Sequence, residues 1–565
     1  MNPRSKAAAF RLPLAVLLAF VPALTAQSPA PIQIDTGKLQ GILTPDQKVI
    51  AYKGIPYAAP PTGDLRWRPP QAAQKWPGTF AATDFGHHCI QFASYPDMVF
   101  RDPGPSEDCL TLNIWAPATA TAQTKLPVMV WIYGGGLVSG GTSEARQDGQ
   151  FLAQRGVIVV SMNYRLGIFG FFTHPELAAE SPAHTSGNYG LMDQAAALAW
   201  VHRNIAAFGG DPANVTLFGQ SAGSESVSLQ MASPLSIGLS AHAIGQSGSE
   251  FPRPGRILLP HAESEQANAA WAKLTFADNT LAHLRTLTTG DITYALHTHH
   301  TPNFGVVVDH LFLPDTLVNL YAQGKQAHIP LLAGWMANEG RMDPPPTAAS
   351  TLTQVHAAFG PKADEFLTLY PAATDAQAAT SANDFASDSS MGFPTWTWIE
   401  AQTHTGHAPV YRYFFTLANP GDRNHSPALG AFHSDDIEYV FGTLDSRPDM
   451  KIRPEDRTLS DQIQQYWTNF AKTGNPNLST NATPKHTTAA PQNSVLSNTP
   501  ATLPNWPTYT PATNFQVMHL DAPPIPQPDP HRNRYLFLTP LWNPPTPAPT
   551  PTPVSALTPA PPPAK

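Results

Sequence analysis

Two predominantly apolar stretches organise the first half of the chain, VMVWIY (128–133) and VIVVSMNY (157–164). Neither alternates polar with apolar positions, as a strand wetted on one face would. Both therefore predict strands covered on both faces. VTLF (215–218), IPLLAG (329–334) and VYRYFFTL (410–417) continue the series. Between strands the period changes. In MDQAAALAWVHRNIAAF (192–208) Ala, Leu and Trp recur at spacings near three and four, and Gly209-Gly210 follows. That predicts a helix with a glycine stop. SAGSESVSLQMA (221–232) predicts another, directly after a strand. Strands alternating with helices imply an α/β fold with a central, mostly parallel sheet flanked by helices.

The ends of the chain follow other rules. Arg4, Lys6 and Arg11 precede the apolar run LPLAVLLAFVPALTA, and Ala23 and Ala26 offer cleavage sites. This is the pattern of an export signal over residues 1–26. A membrane anchor would want about 20 unbroken apolar residues, and this run is shorter and carries Pro13 and Pro22. A secreted or periplasmic location is the expectation. Residues 27–542 read as one globular unit. LSTNATPKHTTAAPQNSVLSNTPAT (478–502) has few large apolar residues and predicts a loop insertion. The proline-rich 543–565 cannot donate regular backbone hydrogen bonds and predicts an extended tail.

Composition removes several function classes. Charged residues are 13% of the 565, the net charge is −8, and no Lys/Arg-rich block stands out. A nucleic-acid or anionic-membrane partner is disfavoured. The two cysteines, Cys89 and Cys109, cannot make a zinc site alone, and no CxxC occurs. In an exported protein they predict a disulfide; two buried thiols are the alternative.

The candidate chemistry begins with a repeated tripeptide. Gly-Gln-Ser occurs at 219–221 and again at 245–247. Ser221 sits in GQSAG between a predicted strand and a predicted helix, the setting of a nucleophile elbow. The neighbours at −2 and +2 must be small there, because the chain turns sharply. Ser247 lacks glycine at +2 and is followed by FPRPG, which cannot continue a helix. It predicts a strand-end turn. A serine nucleophile needs a base oriented by an acid, and donors for the developing oxyanion. Tyr133-Gly134-Gly135-Gly136 follows VMVWIY and can present backbone amides. Spacing alone picks no base among 21 histidines, which include His425 and His299-His300. It does not choose Glu339 over Asp343 or Asp309 either.

At this point the chain resembles the type-B carboxylesterases of the α/β-hydrolase fold, which include cholinesterases and para-nitrobenzyl esterases. The resemblance runs from about Gly37 to Trp542. It rests on YKGIPYAAPPTGDLRWRPP (52–70), SEDCLTLNIWAP (106–117), VWIYGGG (130–136), NYRLGIFGF (163–171), GNYGLMDQ (187–194), FGGDPANVTLFGQSAG (208–223), ANEG (337–340), GAFHSDDIEYVFG (430–442) and WTNFAKTGNPN (467–477). It implies Ser221 as nucleophile, Glu339 as triad acid and His433 as base. It implies an oxyanion hole from the amides of Gly135, Gly136 and Ala222. Cys89 and Cys109 match the family's first disulfide. Arg66 with Glu107, and Arg165 with Asp193, match structural ion pairs. The implied activity is hydrolysis of a small-molecule carboxylic ester without metal or cofactor. A non-catalytic binding protein of the same fold, or an acyltransferase, are the rival readings.

Two departures from the cholinesterases bear on substrate. Their residue before the serine is Glu, and here it is Gln220. Their disulfide loop carries a Trp that stacks on quaternary ammonium, whereas the loop here has Phe92, Tyr95 and Phe100. Cation–π recognition is less supported, so neutral small or medium esters are expected over choline esters.

Overall fold

The computed structural model describes residues 29–542, apart from 92–94, 96, 255–257, 341, 419–429, 449 and 478–502. The expected signal (1–26), the loop insertion (478–502) and the tail (543–565) therefore lie outside the described residues, as do Phe92 and His425. No helix among those described is long and apolar enough to cross a membrane.

One eleven-stranded sheet organises the chain. In chain order its strands are β1 (Ile42–Leu43), β2 (Val49–Pro56), β3 (Thr111–Pro117), β4 (Leu126–Ile132), β5 (Ile158–Met162), β6 (Gly210–Gln220), β7 (His242–Gln246), β8 (Leu331–Met336), β9 (Val410–Phe415), β10 (Gln516–Leu520) and β11 (Ile525–Pro528). Across the sheet they lie in the order β11-β10-β9-β8-β7-β6-β4-β5-β3-β2-β1. Every neighbouring pair from β10 to β5 is parallel. The pairs at the two edges are antiparallel. All five apolar runs read from the sequence are strands of the parallel part. Every residue of β5 and β8 is buried, as strands covered on both faces must be.

The helices that flank this sheet include α1 (Tyr189–Asn204), α2 (Ala222–Gln230), α3 (Phe393–Thr405) and α4 (Pro454–Thr473). Helix α1 starts three residues before the expected Met192. The cause is Asn188, whose backbone is left-handed at φ +54°. Its side chain is held at both ends by the backbone of Val307, at 2.8 and 3.1 Å. The glycine stop behaves as expected: a short 3₁₀ turn follows α1, and Gly209 ends it at φ +90°. Aromatic side chains fill the space between layers. The Trp131 ring on β4 packs against Phe218 on β6 and Phe441, with centroids 4.8 and 4.9 Å apart.

Cys89 and Cys109 form a disulfide. Arg66 grips Glu107 with two hydrogen bonds, at 2.7 and 2.6 Å. Arg165 grips Asp193 at 2.8 and 2.7 Å, and both residues are buried. Each guanidinium meets a carboxylate in the planar fork geometry that makes burial of the charges tolerable.

Candidate active site

The parallel register brings the chemistry to one end of the sheet, where open α/β sheets bind ligands. Gly219 pairs with Gly245 and Gln220 with Gln246. Gln246 pairs in turn with Gly334 on β8. The segments after β4, β6, β7 and β8 thus leave the sheet side by side.

Ser221 is the corner between β6 and α2, with φ +57° and ψ −127°. Its amide donates to Gln246 O at 2.8 Å. The glycines at −2 and +2 are enforced by contact. A Cβ on Gly219 would lie 2.5 Å from the carbonyl of Gly223, and one on Gly223 would lie 2.0 Å from Ile132 O. Both distances are impossible for real side chains, so the turn excludes anything larger.

Glu339 follows β8 after a short turn and is 7% exposed. Its Oε1 accepts the Met336 amide at 2.7 Å. Its own amide donates to Ser387 Oγ at 3.0 Å. His433 arrives on the segment after β9. That segment is pinned beside the acid by a parallel bridge between Asn338 and Phe432, with Asn338 N donating to Ala431 O at 2.9 Å. Across this junction His433 Nδ1 hydrogen-bonds Glu339 Oε2. On the other side of the ring, His433 Nε2 lies 3.0 Å from Ser221 Oγ. The three residues named from the sequence are therefore brought into one hydrogen-bonded chain. Asp309 is buried elsewhere, accepting three backbone amides of 311–313. His299 bonds back to the carbonyl of its own preceding helix.

The electrostatics suit a base. Partial burial pulls the His433 imidazole down. The charge and hydrogen bond of Glu339, with Asp436 and Glu225 further off, more than reverse this, so its pKa stands above the ordinary 6.5. Asp436, three residues on, is pushed up to about 7 by burial and by Glu339. It is held by Gln246 Nε2 at 2.9 Å and by Tyr413 OH at 3.1 Å.

Gly134, Gly135, Gly136, Ser221, Ala222 and His433 line one cavity of about 360 Å³. Gly135 and Gly136 have φ of +110° and +65°, conformations that glycine adopts without strain. The loop they form touches the corner itself: a Cβ on Gly134 would lie 2.9 Å from Ser221 Cβ. Ala222 opens helix α2, so its amide has no partner within the helix and carries the positive end of the dipole. The arrangement presents a hydroxyl, a base hydrogen-bonded to it, and backbone amides around one space.

Several wall residues escaped the sequence reading. Glu225 lies one helical turn after Ser221, a spacing that does carry a signal. Asp436, at +3 from His433, carries a similar one. Asp436 is not on the wall, whereas Asp97, Arg146, Arg253 and Met391 line the cavity beside Glu225. They come from separate segments, and no local spacing marks them.

The comparisons with known proteins agree with this geometry. The description "Carboxylesterase family" matches residues 28–535. The chain is 36% identical over 463 residues to the fumonisin B1 esterase of Sphingopyxis macrogoltabida, covering 79% of this chain and 82% of that protein. It is 36% identical over 459 residues to the para-nitrobenzyl esterase of Bacillus subtilis, covering 78% and 89%. A solved para-nitrobenzyl esterase structure superposes with a TM-score of 0.72 at 33% identity, covering 89% of this chain and 98% of that one. The chain belongs to the carboxylesterase family, and its fold is that of the para-nitrobenzyl esterase structures. It is a carboxylesterase, a serine ester hydrolase.

Proposed function

We propose that this enzyme hydrolyses neutral carboxylic esters of small or medium size through an acyl-enzyme on Ser221. One observation carries the reading: His433 stands between Ser221 Oγ, at 3.0 Å, and the Glu339 carboxylate, facing the glycine-lined cavity. Ser221 Oγ attacks the ester carbonyl carbon as His433 Nε2 takes its proton. Glu339 orients the ring and stabilises its cationic form. The amides of Gly135, Gly136 and Ala222 hold the oxyanion. The tetrahedral intermediate collapses, and His433 returns the proton to the leaving alcohol. Water then attacks the acyl carbonyl with His433 again as base, and Ser221 is released with its proton.

The walls support a neutral ester. The charges that line the cavity are paired with one another: Arg146 with Asp97 at 2.8 Å, and Arg253 with Glu225 at 2.8 Å. Gln220, where cholinesterases carry Glu, places its amide 3.4 Å from His433 Nε2 and 3.2 Å from Ser434 Oγ. Among the described residues, the carboxylates on these walls, Asp97 and Glu225, each face an arginine, which a free anion awaiting a quaternary ammonium would not. The test is a panel of para-nitrophenyl esters of increasing acyl length beside a choline ester, with organophosphate labelling of the nucleophile. Ser221 should be labelled, and neutral esters should turn over faster. Preference for the choline ester, or hydrolysis surviving in Ser221→Ala, would sink the proposal.

We also propose export, on the charged and apolar pattern of residues 1–26 and on the disulfide, which persists in oxidising compartments. Cell fractionation checks it, with the mature N-terminus following Ala23 or Ala26.

A further inference from the structure

Gln91 stands two residues after Cys89, at the root of the disulfide loop. Its Nε2 donates to Gly140 O at 2.6 Å, and its Oε1 accepts the Gly140 amide at 2.7 Å. The same Nε2 also lies 3.1 Å from Cys89 O. One side-chain amide thus satisfies both backbone groups of a single buried glycine, as a neighbouring strand would.

Gly140 closes the loop that Gly134 opens. The carbonyl of Gly135 accepts the amides of Val138 and Ser139 at 3.1 and 3.0 Å. A Cβ on Gly140 would lie 2.4 Å from the Tyr133 ring and 2.6 Å from Gly134 O. A Cβ on Gly135 would lie 2.2 Å from Ser139 O. Gly140 packs directly on the Gly134 carbonyl and on the buried Tyr133 ring, and Gly135 packs on the Ser139 carbonyl, so a shift at Gly140 passes to Gly134 and Gly135. Glycine resists such a shift poorly, since it populates many backbone conformations. The loop needs holding from outside. Gly167 holds its middle, donating to Leu137 O at 2.8 Å. Gln91 holds its closing end.

We infer that Gln91 is a positioning residue for the oxyanion donors, and that the Cys89–Cys109 bridge is the anchor from which it acts. The physical basis is preorganisation: amides stabilise a developing oxyanion fully only when already aimed at it. The inference rests on the acyl-enzyme reading above.

The test compares Gln91→Ala and Gln91→Glu with the parent enzyme, each normalised to its organophosphate-reactive sites so that unfolded protein is not counted. For Gln91→Ala, kcat should fall on the order of tenfold, less than the loss of a direct oxyanion donor, with KM within twofold. Affinity for an aryl trifluoromethyl ketone, whose adduct places an oxyanion in the same position, should fall by the same factor. Gln91→Glu keeps the shape but cannot donate to Gly140 O while ionised. Its kcat relative to the parent should therefore rise as pH is lowered from about 8 to about 5 and the carboxyl regains a proton. A melting-temperature change with kcat and ketone affinity both within twofold would overturn the inference. So would a loss confined to KM, or a Gln91→Glu ratio flat with pH. If the parent enzyme is not labelled at Ser221, the hydrolase reading itself fails first.

Discussion

Gly219-Gln220-Ser221 and Gly245-Gln246-Ser247 lie side by side at the ends of paired parallel strands. Their serines share nearly the same backbone twist, φ +57° and +56°. Each serine amide donates to the next strand at 2.8 Å: Ser221 to Gln246 O, and Ser247 to Gly334 O. Locally, then, the two are almost copies. Their surroundings separate them. After Ser221 the chain enters helix α2, and the hydroxyl meets His433 beside a cavity. After Ser247 it turns through Gly248, φ +152°. Ser247 Oγ is fully buried with no hydrogen-bond partner among the described residues. The glycines differ in purpose as well. Gly219 makes room for Gly223, whereas Gly245 lies under Trp398 of α3, whose ring would be 2.3 Å from a Cβ there. A left-handed serine at a strand end is not enough to make a nucleophile. The helix beneath it and the base above it are required.

Replacement of the two serines should widen the comparison most. Ser221→Ala should lose on the order of 10⁴- to 10⁶-fold in kcat for ester hydrolysis, together with all organophosphate labelling. Ser247→Ala should keep its labelling, and equal losses in both variants would break the distinction.

Glu339→Gln comes next, with an expected loss on the order of 10³- to 10⁴-fold. It also reports on charge. In the proposed mechanism His433 can take a proton only when neutral, and its pKa lies above the ordinary 6.5. The acid limb of kcat/KM should therefore have its midpoint above 6.5 in the parent enzyme and move downward in Glu339→Gln. The protonated ring is also the form that the fold favours. Its contribution to stability is complete below 6.5 and is lost as pH rises through the raised value. An unmoved acid limb would detach Glu339 from the base.

The glycines give a smaller contrast. Gly223→Ala places a methyl 2.0 Å from Ile132 O, against backbone that cannot rotate away. It should destabilise by about 3 kcal/mol or more, in the range of overpacked cores, as read by denaturant melts. Gly248→Ala meets Ser221 O at 2.8 Å and should cost less. The reverse order would mean that the corner at Ser221 is the looser of the two. The smallest effect expected is Ser247→Ala on stability. Removing a buried hydroxyl that lacks a partner should be neutral or stabilising by about 1 kcal/mol.

Much of this molecule is local in origin. VMVWIY and VIVVSMNY are strands because their apolar runs are short and rich in β-branched residues, and IPLLAG because its apolar run is too short for a buried helix; the structure places all three in the sheet. GQSAG is legible because a sharp corner excludes side chains at −2 and +2, a requirement that acts within five residues. The cysteine pair is legible because the chain has only two thiols, so either can pair only with the other, and the structure joins them. Resemblance, not spacing, pointed to Glu339 and His433, which lie 118 and 212 positions beyond Ser221. Their meeting depends on parallel register and on the bridge between Asn338 and Phe432. The pairing of Arg146 with Asp97 and Arg253 with Glu225, and the hold of Gln91 on Gly140, were likewise decided only in three dimensions. Steric limits on the backbone are written over a few neighbouring residues, so the chain determines its strands and its corner by itself. A base, its acid and the walls of a pocket need charges and donors at hydrogen-bond distance, and only the folded sheet brings such distant residues that close.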